Sequence, residues 1–493
     1  MLDKRLKLCA EFVSGKGVVC DVGTDHAYLA VELIKSGKCG KVIASDVKEG
    51  PLKAARKNVE RYGVSDKVEL VLSDGLENIN LNGVTDIVVA GMGGETIVNI
   101  LEDYFYENCL EGIQLILQPM SKPEMLREFL YNLGYMNISE RAVEDSDRIY
   151  TVICVKTSNY QPCQLTEYES VAGFFDEDDE TGKRYRQKKA EKFAKISESL
   201  EKAGKTDEAV HYRAMSRRLA EGVKTESIYD IYEFLDRKYS FSLQEKWDNS
   251  GLLVENTSMM CRKILLTLDI TDSTVDEAKR KGAELIISHH PVIFNPLKKI
   301  ENSSPVFELI KNDISAICMH TNLDIAEGGT NSVIVEKIIQ KCGKLKNTEY
   351  LEDLGNGTGL GYVIELENNI AIREFVETLK DIFGLENIRM SKTYKKFVSR
   401  IAICSGSGGS LLRLAIEKRC DAFVTGDVKH DVWIDANNNS FTVFDCGHFH
   451  TENIVLWELR RVLEKKFPLL DIEISENSTV PFINPDIYFR GEE

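Results

Sequence analysis

Between Val18 and about Val155, short β-branched runs alternate with stretches of helical periodicity: GVVCDV, KVIASD, KVELVL, TDIVVA, IQLILQ and YTVICV. Such alternation predicts a largely parallel, doubly wound α/β sheet with helices on both faces. Pro51 falls in the first turn of the helix after the second run, where a missing N–H costs nothing. Beyond Val155 the pattern stops. A second series begins near Ser227, placed to cap the helix IYDIYEFLDRKY, and continues through KILLTLD, ELIISHH, AICMHTN, GLGYVIEL, RIAICSG, AFVTGD and FTVFDCG. This half is also α/β.

Between the two series the charge changes sign. Residues 161–182 hold seven acids and no base, and read as a solvated connector. Residues 183–224 hold thirteen Lys+Arg against six acids, a net of +7, with a break at Gly204-Lys205-Thr206. A basic antiparallel helical hairpin is expected there, its second helix capped by Thr206. The expected domains are therefore 1–160, a connector with hairpin over 161–224, and 225–493. The whole chain is acidic (−17), so affinity for nucleic acid must come from a local patch such as this hairpin. No window approaches an apolar membrane span and the first residues are charged, which makes a cytoplasmic protein the expectation. Twelve cysteines without a C-x-x-C pair argue against a cysteine zinc site or a disulfide framework.

In a doubly wound sheet, ligands bind outside the carboxyl ends of the strands. The first run ends in Asp21-Val22-Gly23-Thr24-Asp25-His26 and the second at Asp46, where an acid can hold ribose hydroxyls. Asp74-Gly75 follow the third, placing an acid for an adenine amino group, and Gly91-Met92-Gly93 follow the fourth. A nucleoside cofactor is expected. The G-x-G-x-x-G turn that admits a pyrophosphate is missing, which disfavours NAD and FAD and favours S-adenosylmethionine.

Asp21–Leu29, Lys48-Glu49-Gly50-Pro51, Ser73–Leu76, Ala90–Gly94 and Leu117-Gln118-Pro119 together resemble the bacterial tRNA (adenine-N1) methyltransferases that modify adenine 22. The resemblance covers residues 1–222. It implies a Rossmann-like class I methyltransferase fold, tRNA as partner and Asp25 as the catalytic position. Asp25 could accept from the exocyclic amine and face the positive charge that grows on the base during attack by N1. A small-molecule methyltransferase and a nucleotide-binding oxidoreductase are the competing readings.

In the second half, three strand ends carry His289-His290, His320-Thr321-Asn322-Leu323-Asp324 and His448-Phe449-His450-Thr451-Glu452. They are expected at one edge of a sheet, with His448 and Glu452 on one helical face. His289 and His290 diverge and so suit two metals, with Glu452 bridging; His450 reads as an ordinary hydrogen-bonded residue. Mixed imidazole and carboxylate donors suit Zn, Mn or Fe.

These segments, with Trp247–Leu252, Ser405–Gly409 and Thr425-Gly426-Asp427, resemble the dinuclear metal-centre family of type 2 GTP cyclohydrolase I homologues. The resemblance implies His289, His290, Asp324, His448 and Glu452 as ligands, His320 and His430 beside them, and a ring-shaped homo-oligomer, commonly a hexamer. It makes hydrolysis of a small molecule, GTP or another nucleotide among the candidates, one expectation. A metal-dependent regulatory module is the other. Gly406-Ser407-Gly408-Gly409 is read as a phosphate cradle or a simple turn.

Overall fold

The computed structural model describes residues 2–482 apart from 16, 106–111, 136–137, 157–163, 177 and 356. The chain divides into two compact units, 1–203 with 215–222, and 204–214 with 223–493. Among the described residues, no helix is long and apolar enough to cross a membrane.

The described part of the first unit is built on a seven-stranded sheet. Its strands are β1 (Val18–Val22), β2 (Lys41–Asp46), β3 (Val68–Leu72), β4 (Val84–Met92), β5 (Gln114–Pro119), β6 (Ile138–Asp145) and β7 (Arg148–Lys156), in the order β3-β2-β1-β4-β5-β7-β6. The first five in that order run parallel, and β7 and β6 close the sheet antiparallel. The chain reverses its winding between β1 and β4, which opens a crevice at their carboxyl ends. The strand β6 has no counterpart among the apolar runs, because of its eight residues only Glu140 is buried.

The described part of the acidic stretch, residues 164–182 apart from 177, is a packed element, not a solvated connector. Thr166 caps a helix at Glu167–Ala172 through a reciprocal capping box with Glu169. Asp179 caps the long helix Glu180–Lys202 and accepts from the backbone N–H of Ala142. Beneath them Arg127 and Glu140 form a fully buried ion pair at 2.7 Å. The Arg127 guanidinium also donates to the carbonyl of Ser170, while Glu140 accepts from Thr151 and from the backbone of Phe174. Within the basic segment, Arg218 is fully buried and Arg186 donates to the carbonyls of Ala172 and Gly173, so neither is available to a phosphate. Thr206 opens the second helix, Thr206–Glu221, as its first residue.

The second unit contains two larger sheets. One has the order Asp471–Ile474, Lys263–Thr267, Leu285–Ser288, Ser315–Cys318 and Gly251–Val254, parallel except for the last. The other runs Leu345–Gly355, Thr358–Ala371, Phe397–Ile403, Ala422–Thr425, Thr442–Asp445 and Arg389–Met390, with the third, fourth and fifth strands parallel. Ser227 precedes the helix Ile228–Lys238, but its side chain makes no capping bond.

Burying an ion pair is tolerable only while both partners are present. Arg127→Ala strands the Glu140 carboxylate and should cost about 3–5 kcal/mol, whereas Arg127→Met with Glu140→Leu should cost far less. Urea unfolding followed by a probe in the first unit measures the difference.

Candidate functional sites

At the carboxyl end of β1 the backbone turns back on β2, with the N–H groups of Gly23 and Thr24 donating to the carbonyl of Ser45 at 2.9 and 2.8 Å. Gly23 has φ +78°, and a Cβ there would lie 2.0 Å from the Met92 methyl, so Met92 occupies the space a side chain would need. Asp21 is buried and accepts from the Thr24 hydroxyl at 2.7 Å. Burial pushes its carboxyl up to about 6, although the Thr24 bond acts against that rise.

Asp21, Gly23, Asp25 and Gly91 line one cavity of about 380 Å³. Asp25 is exposed and lies 3.3 Å from the His26 ring. Asp46, Asp74, Gly75, Met92 and Gly93 sit at the neighbouring strand ends without lining that cavity. Asp46 accepts from the backbone N–H of Lys48, and Gly75 (φ +49°) packs against Ile100. The sequence reading missed Arg5. It reaches the cavity from the amino-terminal helix, donates to Gln118 at 3.1 Å and Asp145 at 3.4 Å, and lies over the Tyr150 ring. Gln118 in turn accepts from the Gly91 N–H, so Arg5 bears on the glycine turn through one side chain. Apart from Asp3, its partners lie more than a hundred residues away, so no local motif marks Arg5.

The second unit gathers its histidines around one carboxylate. Glu452 Oε2 lies 2.9 Å from His448 Nε2, 3.1 Å from His290 Nε2 and 3.8 Å from His289 Nε2. His289 Nε2 is also 3.7 Å from Asp324. The donors come from two sheets, not the single edge expected: the five-stranded sheet delivers His289, His290, His320 and Asp324, and the six-stranded sheet delivers His448 and Glu452. The loop Cys404–Gly406 after Phe397–Ile403 closes over them. Gly406 has φ +57°, and a Cβ there would stand 2.0 Å from Glu452 Oε1. The N–H groups of Gly406 and Gly408 donate to Thr451 and Thr425, and residues Gly408–Leu411 form a 3₁₀ turn. Those two amides are therefore not offered to a phosphate.

Burial alone would lower the basicity of His289 and His290, but the facing carboxylates outweigh it, and His290 is raised to about 10. Burial would likewise raise Glu452, yet the surrounding imidazoles hold it well below the usual range. The buried Nε2 of His289 has no hydrogen-bond partner. An orphaned imidazole nitrogen facing two carboxylates is the donor set a divalent cation satisfies. The donor atoms fall within 4.8 Å of one another in three groups: His289, Asp324 and Glu452; His290, His448 and Glu452; and His289, His290 and His320. His450 lies outside them, its Nδ1 3.2 Å from the carbonyl of Phe383, and so does the exposed His430. A cavity of about 390 Å³ opens beside the cluster, lined by Trp247, His320, Asp324, Ser405, His448 and Glu452 among others.

Comparison with known proteins separates the two units in the same way. Residues 226–481 match the family model Duf34/NIF3 (NGG1p interacting factor 3), and residues 2–153 match a methyltransferase domain. A GTP cyclohydrolase 1 type 2 homolog of Clostridium perfringens is 31% identical over 258 residues, which is 51% of this chain and 97% of that protein. NIF3-like protein 1 of Drosophila melanogaster is 35% identical over 233 residues, covering 45% of this chain and 77% of the other. Among solved structures, Streptococcus pneumoniae Sp1610, described as a putative tRNA (m1A22) methyltransferase, is 30% identical with a TM-score of 0.40, covering 45% of this chain and all of that one. Staphylococcus aureus protein SA1388 is 27% identical with a TM-score of 0.47, covering 52% of this chain and 99% of the other. The chain therefore belongs to the Duf34/NIF3 family and carries a methyltransferase domain ahead of its Duf34/NIF3 domain.

Proposed function

We propose that the first unit transfers a methyl group from S-adenosylmethionine to N1 of an adenine in tRNA, adenine 22 being the target the resemblance implies. The observation that carries this reading is the cavity that holds the buried Asp21 and the exposed Asp25 against the glycine turn at the β1/β4 switch point. When bound, the cofactor supplies an electrophilic methyl on its sulfonium. Asp21 and Asp46 hold its polar groups, and Met92, seated on Gly23, shapes the turn beside them. Asp25 accepts from the exocyclic amine of the target base and faces the positive charge that grows on the ring. N1 lies on the Watson–Crick edge, so the base must be unpaired to enter. The exposed Lys192, Lys195 and Arg217 of the helical appendage supply phosphate contacts.

For the second unit we propose a dinuclear metal centre. His289 and Asp324 would hold one divalent cation, His290 and His448 the other, and Glu452 both. Zn, Mn or Fe bound there would polarise a substrate and activate water. A small molecule in the adjoining cavity, GTP or another nucleotide among the candidates, is the proposed substrate.

Asp25→Ala should abolish tritium transfer to tRNA and leave cofactor affinity nearly unchanged, while Asp46→Ala weakens affinity in calorimetry; loss of cofactor affinity in Asp25→Ala would reverse the assignment. The cofactor is cationic at its sulfonium and ammonium groups, and Asp21 becomes neutral below a pH of about 6. Affinity should therefore rise from pH 5 to 7 and level off above, and Asp21→Asn should flatten the profile. Glu452→Gln should lower metal content at both positions, whereas Asp324→Asn should empty mainly one, as read by elemental analysis.

A further inference from the structure

Four imidazoles of the cluster each have one nitrogen already engaged. Nδ1 of His289 lies 2.7 Å from the carbonyl of Met319, that of His290 2.7 Å from Asp269, that of His320 2.7 Å from Asp248 and that of His448 3.0 Å from Asp427. Each ring has only Nε2 left to offer. That nitrogen has one lone pair, so no histidine here can serve two cations at once, whereas a carboxylate with two oxygens can. The three groups of donors are therefore not equivalent. His289–Asp324–Glu452 and His290–His448–Glu452 share only the carboxylate, and can be filled together. His289–His290–His320 takes one histidine from each of the others, and filling it dismantles both.

We infer that the cluster has two mutually exclusive loading states selected by the ion: a pair of oxygen-tolerant cations bridged by Glu452, and a single borderline cation held by His289, His290 and His320. The first state rests on the dinuclear reading above; the second does not. An all-imidazole set favours ions such as Ni²⁺, while carboxylate-containing sets suit Mn²⁺. His320 is built as a ligand is built. Asp248, with a fully buried side chain, accepts from its Nδ1, from the Ser250 hydroxyl and from the backbone N–H of Thr321, which fixes the ring. Of this group His320 lines the open cavity, beside Trp247 at 5.9 Å between ring centroids, and so gives the group its face toward solvent.

The test is metal stoichiometry in the metal-free full-length protein, by equilibrium dialysis and elemental analysis. Wild type should hold two Mn²⁺ or one Ni²⁺ per chain, and one equivalent of Ni²⁺ should exclude both Mn²⁺ ions. His320→Gln should weaken Ni²⁺ binding at least tenfold and leave two Mn²⁺. His448→Gln should do the reverse, keeping Ni²⁺ and losing one Mn²⁺. Ni²⁺ and Mn²⁺ bound together in the cluster, or Ni²⁺ affinity unchanged in His320→Gln, would overturn the inference. Should His320→Gln fail to fold, the Ni²⁺/Mn²⁺ competition in wild type and the His448→Gln variant decide the matter. A wild type that holds one Ni²⁺ through His320 but never two Mn²⁺ would overturn the dinuclear reading and leave the mononuclear site standing.

Discussion

A carboxylate cannot be buried alone, and the second unit is organised around that constraint at Glu452. Its oxygens lie out of water with imidazole nitrogens on several sides, and the chain brings those nitrogens from two different sheets. An isolated buried charge would cost several kcal/mol, so each neighbour that faces Glu452 offsets part of that penalty. Gly406 is held to a bare backbone because Glu452 Oε1 fills the place of its side chain. Asp248, Asp269, Asp427 and the Met319 carbonyl each fix one ring, which turns every Nε2 inward. In this arrangement the donor atoms are already oriented, so a cation bound as proposed would forfeit little side-chain entropy.

The first unit solves a different problem. It presents an exposed carboxylate, Asp25, beside a buried one, Asp21, on one turn. The turn is stiffened by the double backbone contact to Ser45 and by Met92 seated on Gly23. Farther along the same sheet, the Arg127–Glu140 pair ties the strand β6 to the backbone at Ser170 and Phe174. The helices Glu167–Ala172 and Glu180–Lys202 are therefore anchored to the sheet through charge buried away from solvent. Part of their basic side-chain content serves that anchoring or internal capping.

Strand ends were legible where apolar runs and chemistry coincided. KVIASD, ELIISHH and FTVFDCG each announce a buried strand and then its terminal acid or histidine, because parallel strands are covered on both faces and read as continuous apolar runs. What stayed hidden has partners distant in sequence. Arg5 matters through Gln118 and Asp145, and Glu140 through Arg127; no local pattern shows either. The acidic run reads as solvated for the same reason: Asp179 looks exposed until the N–H of Ala142 is brought to it. That the clustered histidines and carboxylates come from two sheets was also out of reach, since order along the chain does not say which sheet a strand joins.

Anomalous diffraction from crystals grown with Mn²⁺ would show how many cations gather around Glu452 and where. Two peaks are expected to flank the Glu452 carboxylate, separated by roughly 3.5–4 Å, the spacing typical of two-metal sites. One ion beside His289, His290 and His320 with Glu452 unligated under Mn²⁺, or peaks remote from Glu452, would contradict that arrangement.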